Sequence, residues 1–236
     1  MGVQWIWFAL FLLYFVVFES WWGLTRYKKI MKSIIEGKTP KTELYKRLML
    51  GLWIPAGMIL ALILTEDYTM EDMGLCWIKP SNITWLFYIS LVLGLLYFVY
   101  LAYSIVALKI NAIKKVNISQ QIPDEIKVML PITKKEKRVW SATAVTAGFT
   151  EELIFRGFFF SLMGQLFPGM NLFLILGVST LIFGIGHLYQ GIMEAVKPMI
   201  FGLVFGIFTI AFGSILPTIL LHAMQDLCAT YLVNKE

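Results

Sequence analysis

The chain has few cysteines, few histidines and few charged residues. It contains two cysteines and two histidines among 236 residues, and charged side chains make up only 15%. Cys76 is predicted in an outer loop and Cys228 in the last apolar run, so a disulfide framework is not expected. A soluble domain carries roughly 25% charged residues. The shortage of charge, together with 58% hydrophobic residues, indicates a membrane protein.

Several familiar catalytic signatures are also missing. The sequence contains no HExxH zinc motif, no GxSxG nucleophile elbow and no glycine-rich phosphate loop. Neither cysteine lies in a recognisable nucleophile motif. Any catalysis must therefore rest on carboxylate and imidazole groups.

Positive charge is concentrated in two segments. Eight of the 20 Lys and Arg residues fall at positions 26–47 and eight at 109–138. Both segments adjoin long apolar runs, a pattern typical of cytoplasmic loops under the positive-inside rule. The net charge of +5 thus indicates membrane orientation, with the N-terminus outside, and argues against nucleic acid as a partner. The pattern also suits a bacterial plasma membrane.

Apolar runs of spanning length predict seven helices, at residues 3–24, 48–64, 84–108, 140–165, 171–187, 196–212 and 215–233. Six or eight spans remain open, since Pro217 could instead kink one continuous helix. We expect an all-α, polytopic transmembrane bundle, a single domain over residues 1–236 with its catalytic helices at 140–233. The basic segment at 109–138 could include an interfacial helix.

Ionisable residues are concentrated in the later spans. The set comprises Glu151, Glu152, Arg156, His187, His222 and Asp226. A charge in the middle of a bilayer costs about 2.5–3.5 kcal/mol unless it is paired or faces water. These residues therefore predict a shared, hydrated cavity. Counting from the span ends places Glu151 and His222 at the same depth, roughly 16 Å from the inner face, so we expect the cavity to open to the cytoplasm.

Helical spacing divides these residues into pairs. Glu152 and Arg156 are four residues apart and can form an ion pair on one helix face. Glu151 is turned about 100° away from that pair. His222 and Asp226 are also four residues apart, so the carboxylate can orient the imidazole.

Three motifs at these positions resemble a known family. EELIFR at 151–156 matches EExxxR, FGIGH at 183–187 matches FxxxH, and HAMQD at 222–226 matches HxxxN/D. The sequence thus resembles the CPBP group of intramembrane endopeptidases, which comprises CAAX proteases and bacteriocin-processing enzymes and is also called the ABI family. The resemblance implies a helical core around a cavity open to the cytosol.

The resemblance also implies roles for the motif residues. Glu151 would activate water as a general base, and His187 would position that water. His222 and Asp226 would stabilise the oxyanion, although an ionised Asp cannot donate a hydrogen bond and many relatives carry Asn there. The supporting residues would be Glu152, Arg156 and Phe183. Zn²⁺ bound by Glu151, His187 and His222 and a metal-free, Glu-dependent reaction both remain open.

The leading hypothesis is a peptidase that cleaves a membrane-associated peptide or lipidated protein. A non-catalytic immunity or scaffold protein that binds peptides in the same cavity is the first alternative. A small transporter that relays protons or metal ions is the second, although the sequence shows no convincing inverted repeat.

Overall fold

Helices form nearly all of the architecture in the computed structural model, which describes residues 2–65, 68–80, 83–110, 122 and 124–232. Within this part of the chain no β-strand occurs. The seven long helices are α1 (Gly2–Ile35), α2 (Lys41–Leu64), α3 (Thr84–Ile110), α4 (134–166), α5 (Leu172–Gly186), α6 (Ile192–Phe212) and α7 (Leu216–Cys228). The predicted all-α bundle is confirmed.

Four of these helices, α1, α2, α3 and α6, are long and apolar enough to cross a membrane, and α5 is a shorter apolar helix. The chain is therefore an integral membrane protein. In contrast to these helices, α4 and α7 carry most of the ionisable residues that the sequence placed in the cavity. Cys76 and Cys228 are both free thiols.

The helices extend beyond the predicted spans at their polar ends. Helix α2 begins at Lys41 directly after the extended Pro40, whereas the apolar run begins at residue 48. Helix α4 begins at Lys134, where Thr133 and Glu136 form a reciprocal capping box. Hydropathy reports the part of a helix that suits lipid, so it misses helical turns that continue into water.

The break between α6 and α7 is a true turn. Gly213 has a φ of +58°, a left-handed conformation that glycine adopts without steric cost. Pro217 lies in the first turn of α7, where its missing N–H is tolerated. The alternative of one continuous, kinked helix is therefore wrong.

The basic segment at 109–138, which could include an interfacial helix, lies partly outside the described residues, at 111–121 and 123. Beyond them, Asp124–Lys127 forms a single helical turn.

Wide π-helical turns interrupt two of the long helices. In α1 they span Leu13–Phe18 and Gly23–Tyr27, and in α4 one spans Leu153–Phe158, directly after the two glutamates. Such turns are rare and occur frequently at functional sites. The π segment of α4 contains Arg156, so it overlaps the first sequence motif.

Aromatic side chains join α1 to α4. Phe11 contacts Phe155 and Phe159 with ring centroids 5.7 and 4.8 Å apart, and Phe15 contacts Phe155 at 4.9 Å. All four rings are buried. Since lipid is as apolar as these side chains, close packing rather than water exclusion holds the helices together. This contact fixes α1 against the helix that carries the glutamates.

Candidate active site

One cavity of about 890 Å³ contains all the residues that the sequence assigned to the site. Its walls include Glu151, Glu152, Arg156, Phe183, His187, His222 and Asp226. They come from α4, from α5 and the residue that follows it, and from α7. The structure thus brings together residues that are up to 75 positions apart in the sequence, from Glu151 to Asp226.

Close packing of α4 on α7 places the glutamates beside His222. A Cβ atom at Gly148 would lie 2.7 Å from the backbone nitrogen of Ala223 and 2.9 Å from its Cα. Only glycine allows this approach of the two backbones. Because Ala223 follows His222 directly and Gly148 lies one turn before the glutamates, the contact sets the distance between the two motifs.

Glu152 joins two motifs through one carboxylate oxygen. Its Oε1 lies 3.3 Å from Arg156 Nη1 and 2.8 Å from His222 Nδ1. The side chains of Glu152 and Arg156 are 0% and 1% exposed, so this network is shielded from water. The guanidinium also lies over the Phe183 ring, 4.7 Å from its centroid, a cation–π contact. The predicted Glu152–Arg156 ion pair is therefore present, and Phe183 supports it.

The other nitrogen of His222 faces two carboxylates. Its Nε2 lies 3.7 Å from Glu151 Oε2 and 3.9 Å from Asp226 Oδ2. Both distances exceed direct hydrogen-bond length. A substrate oxygen can therefore approach Nε2 between the two acids. The sequence suggested Asp226 as the group that orients His222, but the ring donates its Nδ1 hydrogen bond to Glu152 instead.

His187 is held by its own helix end and by aromatic rings. Its Nδ1 lies 2.8 Å from the Phe183 carbonyl oxygen. A carbonyl only accepts, so Nδ1 carries the proton and Nε2 of the neutral ring is an acceptor. The ring contacts Phe183 at 4.6 Å and stacks on Tyr189 at 6.3 Å and 22°. Its orientation is therefore fixed where it lines the cavity.

The candidate Zn²⁺ ligands do not form a ligand group in the described part of the chain, where no three His, Cys, Asp or Glu side chains are arranged to hold a metal ion. His222 uses Nδ1 to bind Glu152, and its Nε2 faces the carboxylates of Glu151 and Asp226 at 3.7 and 3.9 Å. Two histidines and a glutamate are a donor set that catalytic zinc sites use, but the side chains of Glu151, His187 and His222 are not arranged as one ligand group.

Sequence reasoning missed three features of this cavity. It assigned Glu152 only to the ion pair, because the i, i+4 spacing with Arg156 already explained its charge. It did not place Glu19 or Tyr189 in the cavity, although both line it. A carboxylate inside the first apolar run was the available signal for Glu19.

A comparison with protein families matches this part of the chain. Residues 136–228 fit the family model of the type II CAAX prenyl endopeptidases, Rce1-like. The matched segment holds all three motifs and the residues gathered around His222. The resemblance seen in the motifs is therefore confirmed, and the matched family is one of proteases. No curated protein and no solved structure gives a significant match.

Proposed function

We propose that the chain is an intramembrane endopeptidase in which Glu151 activates a water molecule. The observation that carries this proposal is the meeting of Glu151, Glu152 and His222 in one cavity. The match to a protease family over residues 136–228 supports it. The substrate would be a membrane-associated peptide, either amphipathic or prenylated.

In the proposed reaction His222 carries protons on both ring nitrogens. Nδ1 donates to Glu152, and Nε2 donates to the carbonyl oxygen of the scissile bond. The surrounding carboxylates compensate the positive charge of the ring. A donor held in place before the reaction stabilises the developing oxyanion without reorganisation. Asp226 would act through His222, since its oxygen lies near Nε2 and an ionised carboxylate cannot donate.

Glu151 would move the protons of the reaction. Its carboxylate takes one proton from water as the water oxygen attacks the carbonyl carbon, and a tetrahedral oxyanion forms. The carbon–nitrogen bond then breaks, and Glu151 returns the proton to the departing amine. The products are a new carboxylate and a new amine, so one water is consumed for each bond cleaved. His187 would hold the water through Nε2. No step needs a metal ion.

The proposed setting is the cytoplasmic side of a bacterial plasma membrane. One basic segment, at 26–47, connects α1 to α2, and the other, at 109–138, connects α3 to α4. The cavity lining includes Arg47 and Lys197. A cavity mouth near these residues would admit substrate from the cytosol, with the N-terminus on the opposite side.

Glu151→Gln tests the proposal in lipid nanodiscs. The substitution keeps the shape of the side chain and removes the base. Cleavage of prenylated and amphipathic test peptides, followed by mass spectrometry, should fall about a hundredfold to ten-thousandfold, the contribution typical of an acid–base group. Binding of the same peptides should persist. Unchanged cleavage would refute the role of Glu151, whereas wild-type binding with no cleavage by either protein would favour the scaffold alternative.

A further inference from the structure

Glu19 is a carboxylate in the first apolar helix that the proposed reaction does not use. It lies between the two π segments of α1 and lines the same cavity as Glu151. It lies outside residues 136–228, the part that matches the protease family. An ionisable group within a membrane-spanning helix is a candidate functional residue, because its charge must be compensated.

The local structure directs Glu19 towards α2 and the cavity. The N–H of Glu19 bonds to the Tyr14 carbonyl, five residues back, so the wide turn ends at this residue. The Tyr14 hydroxyl donates to the Gly51 carbonyl at 2.7 Å. A Cβ at Gly51 would lie 3.7 Å from Glu19 Oε1. The carboxylate therefore lies beside Gly51 of α2, on the wall of the cavity.

The charges that line the cavity are unbalanced. Five carboxylates line it, from Glu19, Glu43, Glu151, Glu152 and Asp226. The lining cations are Arg47, Arg156 and Lys197, together with His222 when its ring is protonated as in the proposed reaction. The cavity thus carries an excess of acidic side chains on its walls.

Each of these cations already has its own carboxylate. Arg47 pairs with Glu43 at 2.9 Å, and Arg156 pairs with Glu152 at 3.3 Å. Lys197 pairs with Glu194 at 2.7 Å. None of the three cations is therefore available to Glu19.

Glu19 differs from the other lining carboxylates. Glu151 and Asp226 both face His222, and Glu43 and Glu152 are paired with arginines. For Glu19, no ion pair or side-chain hydrogen bond is found among the residues that the structure describes. A half-buried carboxylate in this position requires a cation from elsewhere or a proton.

Tyr189 connects Glu19 to the reaction centre. The Tyr189 side chain packs on Gly23 of α1, where an added Cβ would lie 2.4 Å from the Tyr189 Cβ. Tyr189 is within electrostatic range of both Glu19 and Glu151, and it stacks on His187. A peptide bound between the base and α1 would therefore pass close to Glu19.

We propose that Glu19 binds a positively charged group of the substrate, either a lysine or arginine side chain or a free amine of the peptide. Glu19 would then determine which substrates bind, although it lies in the first helix and outside the segment that matches the protease family. An acidic cavity with one unmatched carboxylate complements a cation on the ligand. This inference rests on the proposed function, because that function identifies the bound ligand as a substrate.

Measuring peptide binding to a protein that lacks the proposed base tests this inference separately from catalysis. The probes are fluorescent amphipathic peptides that each carry one lysine at a different position, each paired with the same peptide carrying norleucine there. They are bound to the Glu151→Gln protein in nanodiscs. At one or a few positions lysine should bind about tenfold more tightly than norleucine, the effect of one charge-assisted hydrogen bond.

The lysine preference should depend on Glu19 alone. Adding Glu19→Gln should remove it, and Glu19→Lys should reverse it, so that norleucine binds more tightly than lysine at the same position. Glu43→Gln is the matched control, since it removes the same charge from the cavity wall but at a paired, exposed side chain. It should leave the preference intact.

Two results would overturn the inference. One is the absence of a lysine preference at every position, and the other is a preference that persists in both Glu19 variants. Cleavage by the protein with Glu151 intact is measured separately with the same peptides. Failure to cleave, with the Glu19-dependent preference retained, would refute the peptidase and leave the cation site.

Discussion

The contact between Gly148 and Ala223 allows the site to be perturbed without changing a reacting group. In Gly148→Ala, the new methyl carbon would lie 2.7 Å from the Ala223 nitrogen and 2.9 Å from its Cα and Cβ. Carbon atoms pack at about 3.5–4.0 Å. Since the obstructing atoms include backbone, α4 and α7 must separate by roughly 0.6–1.0 Å to accept the methyl group.

That separation would disconnect Glu152 from His222. Their 2.8 Å hydrogen bond would stretch to about 3.5 Å or more, beyond useful hydrogen-bond length. The Nε2 donor would also move away from Glu151. A displacement of about 1 Å at a reacting group can lower a rate about a hundredfold. Overpacking at this contact should also lower stability by about 1–3 kcal/mol.

The assay compares kcat/KM for a test peptide and thermal unfolding of the protein in nanodiscs. Gly177→Ala is the matched control, because Gly177 lies inside α5 and an added Cβ would meet no atom within 4 Å. The control should retain activity and stability, while Gly148→Ala should lose both. Wild-type rates and an unchanged unfolding temperature in Gly148→Ala would refute the role of this helix contact.

Three further predictions follow from the same structure. Arg156→Ala removes the arginine partner of the buried Glu152 carboxylate and should lower the free energy of unfolding by about 3–5 kcal/mol, measured by denaturation in nanodiscs; a loss below about 1 kcal/mol would contradict the buried pair. Burial raises the pKa of Glu136, but hydrogen bonds from the backbone of Thr133 and Ile132 lower it by more. The pKa of Glu136 therefore lies below the ordinary carboxyl value. Ionised Glu136 therefore stabilises the fold above the ordinary carboxyl pKa, and this stabilisation is lost as the pH falls through the lower pKa of the folded state. The difference in melting temperature between Glu136→Gln and the parent protein should therefore shrink on acidification. A difference that stays constant with pH would contradict this prediction. Exhaustive chelation should leave peptide cleavage unchanged, because the site offers no ligand group for zinc, and loss restored by added Zn²⁺ would contradict the metal-free reaction.

The helices were largely predictable because lipid demands long apolar runs. Their polar ends were not, since Lys41 and Lys134 begin helices through backbone geometry and capping rather than hydropathy. The π turns could not be predicted from the sequence either. They depend on hydrogen bonds such as that from Glu19 to Tyr14, which follow from packing between helices.

The site residues were predictable because charge is rare in this chain. The two histidines and a few acidic residues within apolar runs identify the residues of the cavity from the sequence alone. Spacing along one helix explained the pair of Glu152 and Arg156 but could not show the bond from His222 to Glu152. That bond depends on the approach of two backbones at Gly148, a relation between helices that spacing along a single helix does not record.

A double-mutant cycle on Glu151 and His222 tests most directly whether the two side chains act on one bond. Glu151→Gln, His222→Asn and the double variant are compared with wild type in single-turnover cleavage. Residues that act as a unit have strongly non-additive effects on rate. The double variant should therefore be no slower than the slower single variant. Losses that multiply would show that the acid of α4 and the imidazole of α7 act independently, contrary to the proposed mechanism.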